Sequence, residues 1–204
     1  MWLLFAARVA SATEDGEGSA GTPPPEYARL SQEVRRLAER NAWEGAERTF
    51  RELEATGGPL TFDDWIRGAQ AGRAVGDLGA TRDRLRAATA LREDPDVIHQ
   101  LWDIDTRFGP VALLCDPGSF LALRADQSSL DPDLLRATEY ARAQVHDRCA
   151  FEGLLPLGTY HLHEAEFRVE PHRPPVELDL RGLPLGRRAR RALRDAWEAE
   201  GSAE

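Results

Sequence analysis

The sequence predicts an α+β protein: helical-hairpin repeats first, then a small antiparallel β-rich module with an inserted helix. Three observations carry that expectation. From Glu26 to about residue 107, apolar side chains recur at helical spacing with short, well-marked breaks. At Phe108 the pattern changes to the alternation of strands. One capped helix, expected over 131–149, then interrupts the strand pattern. The chain divides accordingly into an N-terminal segment (1–25), a helical domain (26–107), a β-rich module (108–181) and a C-terminal helix or tail (182–204).

Composition sets the outer limits. With 204 residues, 42% of them hydrophobic and 30% charged, the chain has the material for one folded domain and a second small one. All 26 basic residues are arginine, and the net charge is −9. A surface of that sign repels polyphosphate, so nucleic acid is not an expected partner. No run of 18 apolar residues occurs, so no transmembrane helix is expected.

The N-terminus begins MWLLFAARVASA, apolar from Trp2 to Ala7, with the small-x-small run Ala10-Ser11-Ala12. A polar stretch and Pro23-Pro24-Pro25 follow. This reads as the remnant of a secretory signal peptide with a Pro-rich linker, which predicts a periplasmic or secreted protein. If the segment is not such a remnant, the expectation is cytoplasmic. Cys115 and Cys149 are even in number and can bridge in an oxidising compartment, or remain two buried thiols.

The elements follow in order. Tyr27, Leu30, Val34, Leu37 and Ala38 form a first apolar stripe, and Asn41-Ala42 breaks it. Trp43, Ala46, Phe50 and Leu53 form a second, stopped by Gly57-Gly58-Pro59. Thr61 with Asp64 three residues on is close to a capping box, and opens a helix carrying Phe62, Trp65, Ile66 and Ala69. Gly68, Ala71 and Gly72 on that helix are small enough to let a neighbour approach closely. Gly76-Asp77 turns the chain into a fourth stripe, Leu78, Leu85, Ala88 and Leu91. Asp94 caps and Pro95 opens a strongly apolar helix with Val97, Ile98, Leu101, Trp102 and Ile104, read as a cap that seals the stack.

Beyond Phe108, Pro110–Asp116 and Phe120–Asp126 read as two short strands around a Pro117-Gly118 turn. Asp131-Pro132-Asp133 opens a helix whose expected buried face is Leu134, Leu135, Thr138, Ala141 and Val145. A second strand group starts at Leu154, passes an expected corner at Glu164-Ala165 and continues through Phe167 and Val169. Val176, Leu178 and Leu180 add an edge strand.

The two helical pairs resemble tetratricopeptide repeats, whose unit of about 34 residues has a large residue early in its first helix, a Gly-Asp-aromatic turn and a closing proline. Trp65, Gly76, Asp77, Leu78, Leu85 and Ala88 stand at matching offsets, with Pro95 closing the unit. In the first unit Trp43, Ala46 and Phe50 match, while Asn41-Ala42 stands where the family has Gly-Asp. The resemblance implies peptide or protein binding on the concave face formed by the first helix of each repeat. It places Arg35, Gln70 and Arg73 there, the two arginines suited to a carboxylate. The asparagine and lysine clamp of chaperone-binding members is absent.

LLPLGTYHLHEAEFRVEP, residues 154–171, resembles a PEGA-type or carboxypeptidase-regulatory β module. That resemblance implies company with helical repeats in exported bacterial proteins, hence a cell-envelope complex.

Signals for chemistry are sparse. His161 and His163 would share one face of a strand, with Glu166 and His172 nearby, which offers a metal-binding alternative. Asp103 and Asp105 are two apart and do not share a helical face. Cys149 and His146 have nucleophile-base spacing, but nothing marks an oxyanion hole. Walker A, Gly-x-Ser-x-Gly and Cys-x-x-Cys patterns are missing, and no Gly-x-Gly-x-x-Gly follows a strand. The expectation is a non-catalytic interaction or scaffolding protein without cofactor or metal. In the tail, Arg187, Arg188, Arg190, Arg191 and Arg194 form either a self-screened solvated helix or a docking element for an acidic partner or membrane surface.

Overall fold

The structure is a computed structural model, and it describes residues 25–116, 121–127 and 129–182. Five helices come first: α1 (Pro25–Glu39), α2 (Trp43–Ala55), α3 (Phe62–Val75), α4 (Leu78–Leu91) and α5 (Pro95–Arg107). Each packs on its neighbour in chain order, an arrangement compatible with helical repeats. The local signals act where expected. Thr61 and Asp64 form a reciprocal capping box at the start of α3, satisfying two N–H groups that the helix itself cannot. Gly76 ends α3 at φ 91°, a left-handed conformation that favours glycine, and Asp77 then caps α4 by accepting from Ala80 N. Asp94 caps α5 with Pro95 behind it.

The small residues of α3 serve close packing. A side chain at Gly68 would run into the ring of Phe50 from α2, which sits directly on the helix. Phe50 is fully buried and meets Trp65 edge-on at 5.9 Å. At Gly76 an added Cβ would collide with the backbone carbonyl of Arg136, so a second module presses on that turn.

That module contains β1 (Phe108–Leu114), β2 (Leu123–Ala125), α6 (Pro132–Arg148), β3 (Ala150–Pro156), β4 (Gly158–Leu162), β5 (Ala165–Val169) and β6 (Val176–Asp179). The strands form two three-stranded sheets, ordered β3-β1-β6 and β2-β4-β5. All pairings are antiparallel except β1 with β6, which is parallel. The strands on either side of the expected Pro117-Gly118 turn do not pair with each other. β1 is buried between β3 and β6, whereas β2 joins the other sheet, because β1 is apolar on both faces and its best partners come from later in the chain.

Two further expectations change. On α6 the buried residues are Ala137, Thr138, Ala141 and Val145, while Leu135 is 40% exposed. The two alanines let the helix approach closely, Leu134 packs at the edge of the buried face, and only Leu135 turns outward. On α5 only Val97 and Ile104 are fully buried; Ile98 and Trp102 are 51% and 62% exposed. The chain leaves the stack for β1 at Phe108, so no further helix among the described residues covers the outer side of α5.

Three cores hold the fold. One lies under α1–α3 with Tyr27, Leu30, Val34, Phe50 and Leu53. Another fills the β module around Leu113, Val145, Leu155 and Leu162. The third joins them, with Ala69, Leu85, Val97 and Ile104 from the helices packing against Phe108, Ala137 and Leu154. Cys115 and Cys149 form a disulfide, with Cα atoms 5.0 Å apart. It continues the β1–β3 register, in which Leu114 faces Ala150, and Cys115 N donates to Cys149 O at 2.8 Å. The bridge therefore ties the far end of β1 to the C-terminus of α6.

Gly68→Ala gains about 1 kcal/mol of helix propensity but drives a methyl into Phe50, at a cost of about 1–3 kcal/mol. We expect a net loss of stability in urea unfolding that shrinks in a Phe50→Leu background. Unchanged or raised stability would show that the ring yields freely. Replacing both cysteines by serine opens a loop spanning a sequence separation of 34, and should cost about 3–4 kcal/mol on the chain-entropy model. Unfolding midpoints with and without reductant measure it.

Candidate interaction surface

The residues expected to bind a peptide do not converge. Arg35 is exposed on α1, where its Nε donates to Glu39 at 3.1 Å. It lines a shallow depression of about 550 Å³ made by α1 alone, to which neither Gln70 nor Arg73 contributes. Gln70 is exposed on α3. Arg73 is engaged by the chain itself: its Nε and Nη2 donate to Asp133 Oδ2 at 2.9 and 2.5 Å. Ile66, one turn before Gln70 on α3, packs against the joining core together with Leu134. α6 thus lies over the part of α3 where a ligand was expected. Sequence spacing could not show this, because Asp133 is 60 residues away from Arg73.

The histidine alternative also changes. His161 lies on β4 with Nε2 2.8 Å from Asp126 Oδ1. β4 ends at Leu162, and His163 is the first residue of the turn into β5, at φ 58°. The two histidines therefore do not share a strand face. Among the described residues, no group of three or more His, Cys, Asp and Glu side chains is placed to hold a metal ion. Cys149 is in the disulfide and so carries no thiol for His146 to activate. Asp103 and Asp105 are engaged by different arginines: Arg107 reaches Asp103 at 3.3 Å and Arg82 reaches Asp105 at 2.6 Å.

Two hydrogen-bond hubs hold the helical units in register. Asp64 accepts from Tyr27 Oη at 2.7 Å and Ser31 Oγ at 2.6 Å, which docks α1 on the start of α3. Burial pushes the Asp64 carboxyl up, but the hydrogen bonds from Ser31, Thr61 and Tyr27 outweigh it and hold its pKa below the usual range. Tyr27 is pushed up to about 12, by burial first and then by Asp64, so it remains the donor. Arg84 of α4 is the second hub. It makes a two-pronged pair with Glu47 at 2.5 and 3.0 Å, reaches Glu54 at 3.0 Å, and donates to Gly68 O at 2.8 Å. The network extends outward, with Arg51 bridging Glu47 and Asp77, and Tyr140 of α6 donating to Asp77 at 2.8 Å.

With Arg73 and the inner side of α3 covered, other surfaces remain open. A cleft of about 410 Å³ lies between α6 and the β2-β4-β5 sheet, with Glu139, Arg142, Asp126 and Tyr160 among its walls. A groove of about 520 Å³ runs between α2 and α6 past Arg48, Arg51, Val75, Tyr140 and Gln144. The third surface is apolar. Ile98 and Trp102 stand one turn apart on α5 and so share a face. α4 and α5 are joined by residues 92–94 and run antiparallel, with Arg82 and Arg86 of α4 beside Asp105. Leu91, 57% exposed at the end of α4, is nine residues from Arg82 and so leaves that helix on the opposite side from the Ile98 and Trp102 pair. Large apolar side chains grouped as Ile98 and Trp102 are mark an interaction surface more often than scattered ones do. Periodicity missed it because Val97, Ile98, Leu101, Trp102 and Ile104 cover most of the helix, a pattern that reads as burial all round.

The tail arginines Arg187, Arg188, Arg190, Arg191 and Arg194 lie outside the described residues, as does the expected signal segment up to residue 24. Among the described residues, no helix is long and apolar enough to cross a membrane.

Asp133 behaves like Asp64: burial raises its pKa, and Arg73 and Arg136 lower it further than burial lifts it. A depressed folded pKa contributes stability in full above the unfolded value, about 3.9. That contribution is lost as pH falls through the folded value. The protein should therefore lose stability below about pH 4. Asp133→Asn should flatten that slope, measured as unfolding free energy against pH. Parallel slopes would show that the Arg73 contact contributes nothing to the linkage.

No protein-family model, curated protein or solved structure matches this chain.

Proposed function

We propose that this chain is a non-catalytic protein-interaction or scaffolding component of a bacterial cell envelope. On this reading it docks a polypeptide against the outer face of α5. The observation that carries the proposal is the exposure of Ile98 and Trp102 at the open end of a helical stack. A stack of tetratricopeptide type buries each helix between neighbours, and its terminal helix needs a polar outer side. α5 has an apolar one. The offsets around Trp65, Gly76 and Asp77 support the repeat reading, and the hairpin β4–β5 supports the PEGA-like one.

The disulfide supports an oxidising compartment, since such bonds persist in exported proteins and are rare in reducing ones. The absent catalytic motifs and the internal engagement of Arg73 favour docking over chemistry. Arg35 and Gln70 are secondary contacts at most, on a different helix face from Trp102.

A photo-crosslinking amino acid in place of Trp102, expressed in the native host, should give a polypeptide adduct on irradiation. The same amino acid in place of Glu52 on α2 serves as control. Adducts no stronger than at the control position would remove the α5 surface from the proposal.

A further inference from the structure

We infer that the occupant of the α5 face is a second copy of this chain, packed α5 against α5 about a two-fold axis. This rests on the reading of α5 as a docking surface and specifies its partner.

The geometry is self-complementary. An axis perpendicular to α5 and passing between Ile98 and Trp102 sets Ile98 of each copy against Trp102 of the other. The long indole then covers the shorter branched side chain. A two-fold interface requires one patch that fits itself, and a strip of one large and one medium apolar residue a turn apart meets that requirement.

Charge is distributed in the same sense. At the N-terminal end of α5, residues 92–96 carry Glu93, Asp94 and Asp96 against Arg92 alone. Arg92 is 3.6 Å from Asp94, and neither Glu93 nor Asp96 makes an ion pair among the described residues. At the other end, on the flank shared with α4, the balance is reversed. Asp105, three residues beyond Trp102 and so on the same face, is held by Arg82 at 2.6 Å. Arg86 reaches the same carboxylate only at 4.0 Å and remains half exposed. An antiparallel pair brings Arg86 of each copy towards the acidic end of the other, and opposes the two helix dipoles favourably. A parallel pair would set acid against acid and arginine against arginine. The antiparallel pair is therefore the one the charges select.

The apolar strip is short, so the expected association is weak, with a dissociation constant on the order of micromolar. Sedimentation velocity on the full chain, from about 1 to 200 μM, tests it; interfaces of small buried area fall in this regime. We expect a monomer–dimer equilibrium that Trp102→Asp abolishes, with the far-ultraviolet circular dichroism and melting temperature of the variant unchanged because the side chain is exposed. Arg86→Glu should weaken dimerisation at least tenfold, and Arg86→Glu combined with Glu93→Arg should recover most of it. Monomer at every concentration overturns the inference, as does a dimer indifferent to Trp102→Asp or a charge reversal without recovery. The crosslink at position 102 separates the two levels. An adduct to a different polypeptide together with a monomer keeps α5 as a docking surface and discards self-association. A monomer with no adduct above control discards both.

Discussion

The interaction on which the helical stack depends is the buried pairing of Arg84. Its side chain is 3% exposed, and it spans three helices at once, holding Glu47 and Glu54 of α2 and the carbonyl of Gly68 in α3. Its guanidinium also lies 4.4 Å from the centre of the Phe50 ring. A buried charge without its partner costs roughly 3–5 kcal/mol, whereas an apolar replacement of the whole pair is often neutral. The pairing thus adds less to total stability than to choice among alternatives. Only one registry of α2, α3 and α4 satisfies the guanidinium, and any slip leaves a charge stranded. The glycines follow from it. Gly72 faces Thr81 and the Arg84 head, and Gly68 faces Phe50, so the small stripe of α3 is the space the hub requires.

From this hub a chain of contacts leads to the β module. Arg51 and Asp77 pass it to Tyr140, and Arg73 with Asp133 closes a second contact on the other side of the Gly76 turn. Between them lies the shared core of Leu85, Ile104, Phe108, Ala137 and Leu154. α6 therefore acts as a wedge that belongs to both halves. It completes the hydrophobic core that two helical pairs would leave open, and in doing so covers the inner side of α3. The outer side of α5 is what remains of the stack's apolar surface. The functional proposals follow from this exchange of one face for another.

Much of the secondary structure was legible because its signals are short-range. Thr61 and Asp64, Gly76 and Asp77, Asp94 and Pro95, and Asp131 and Pro132 each act within a few residues of the helix end they define. The value of Gly68 and Gly72 as sites of close approach was readable for the same reason, although their neighbours were not. The candidate site was less legible. Arg73 looked like a ligand-binding arginine because no acid stands one turn away on its own helix to occupy it, Asp77 lying beyond the break at Gly76. Asp133, which does so, belongs to another module. Ile98 and Trp102 looked buried because an apolar side chain carries no mark of whether something will cover it.

By itself the sequence determined the α+β class, the order of elements and nearly all helix ends, since these depend on backbone capping and on periods of 3.6 and 2. Only the tertiary structure decided that β1 pairs with β3 and, in parallel, with β6, and that β2 belongs to a separate sheet. It also decided that α6 fills the face of α3, and that α5 keeps an apolar side uncovered. Those outcomes depend on which distant surfaces bury the most area and leave the fewest polar groups unpaired. That balance is struck over the whole chain, and no local run of residues encodes it.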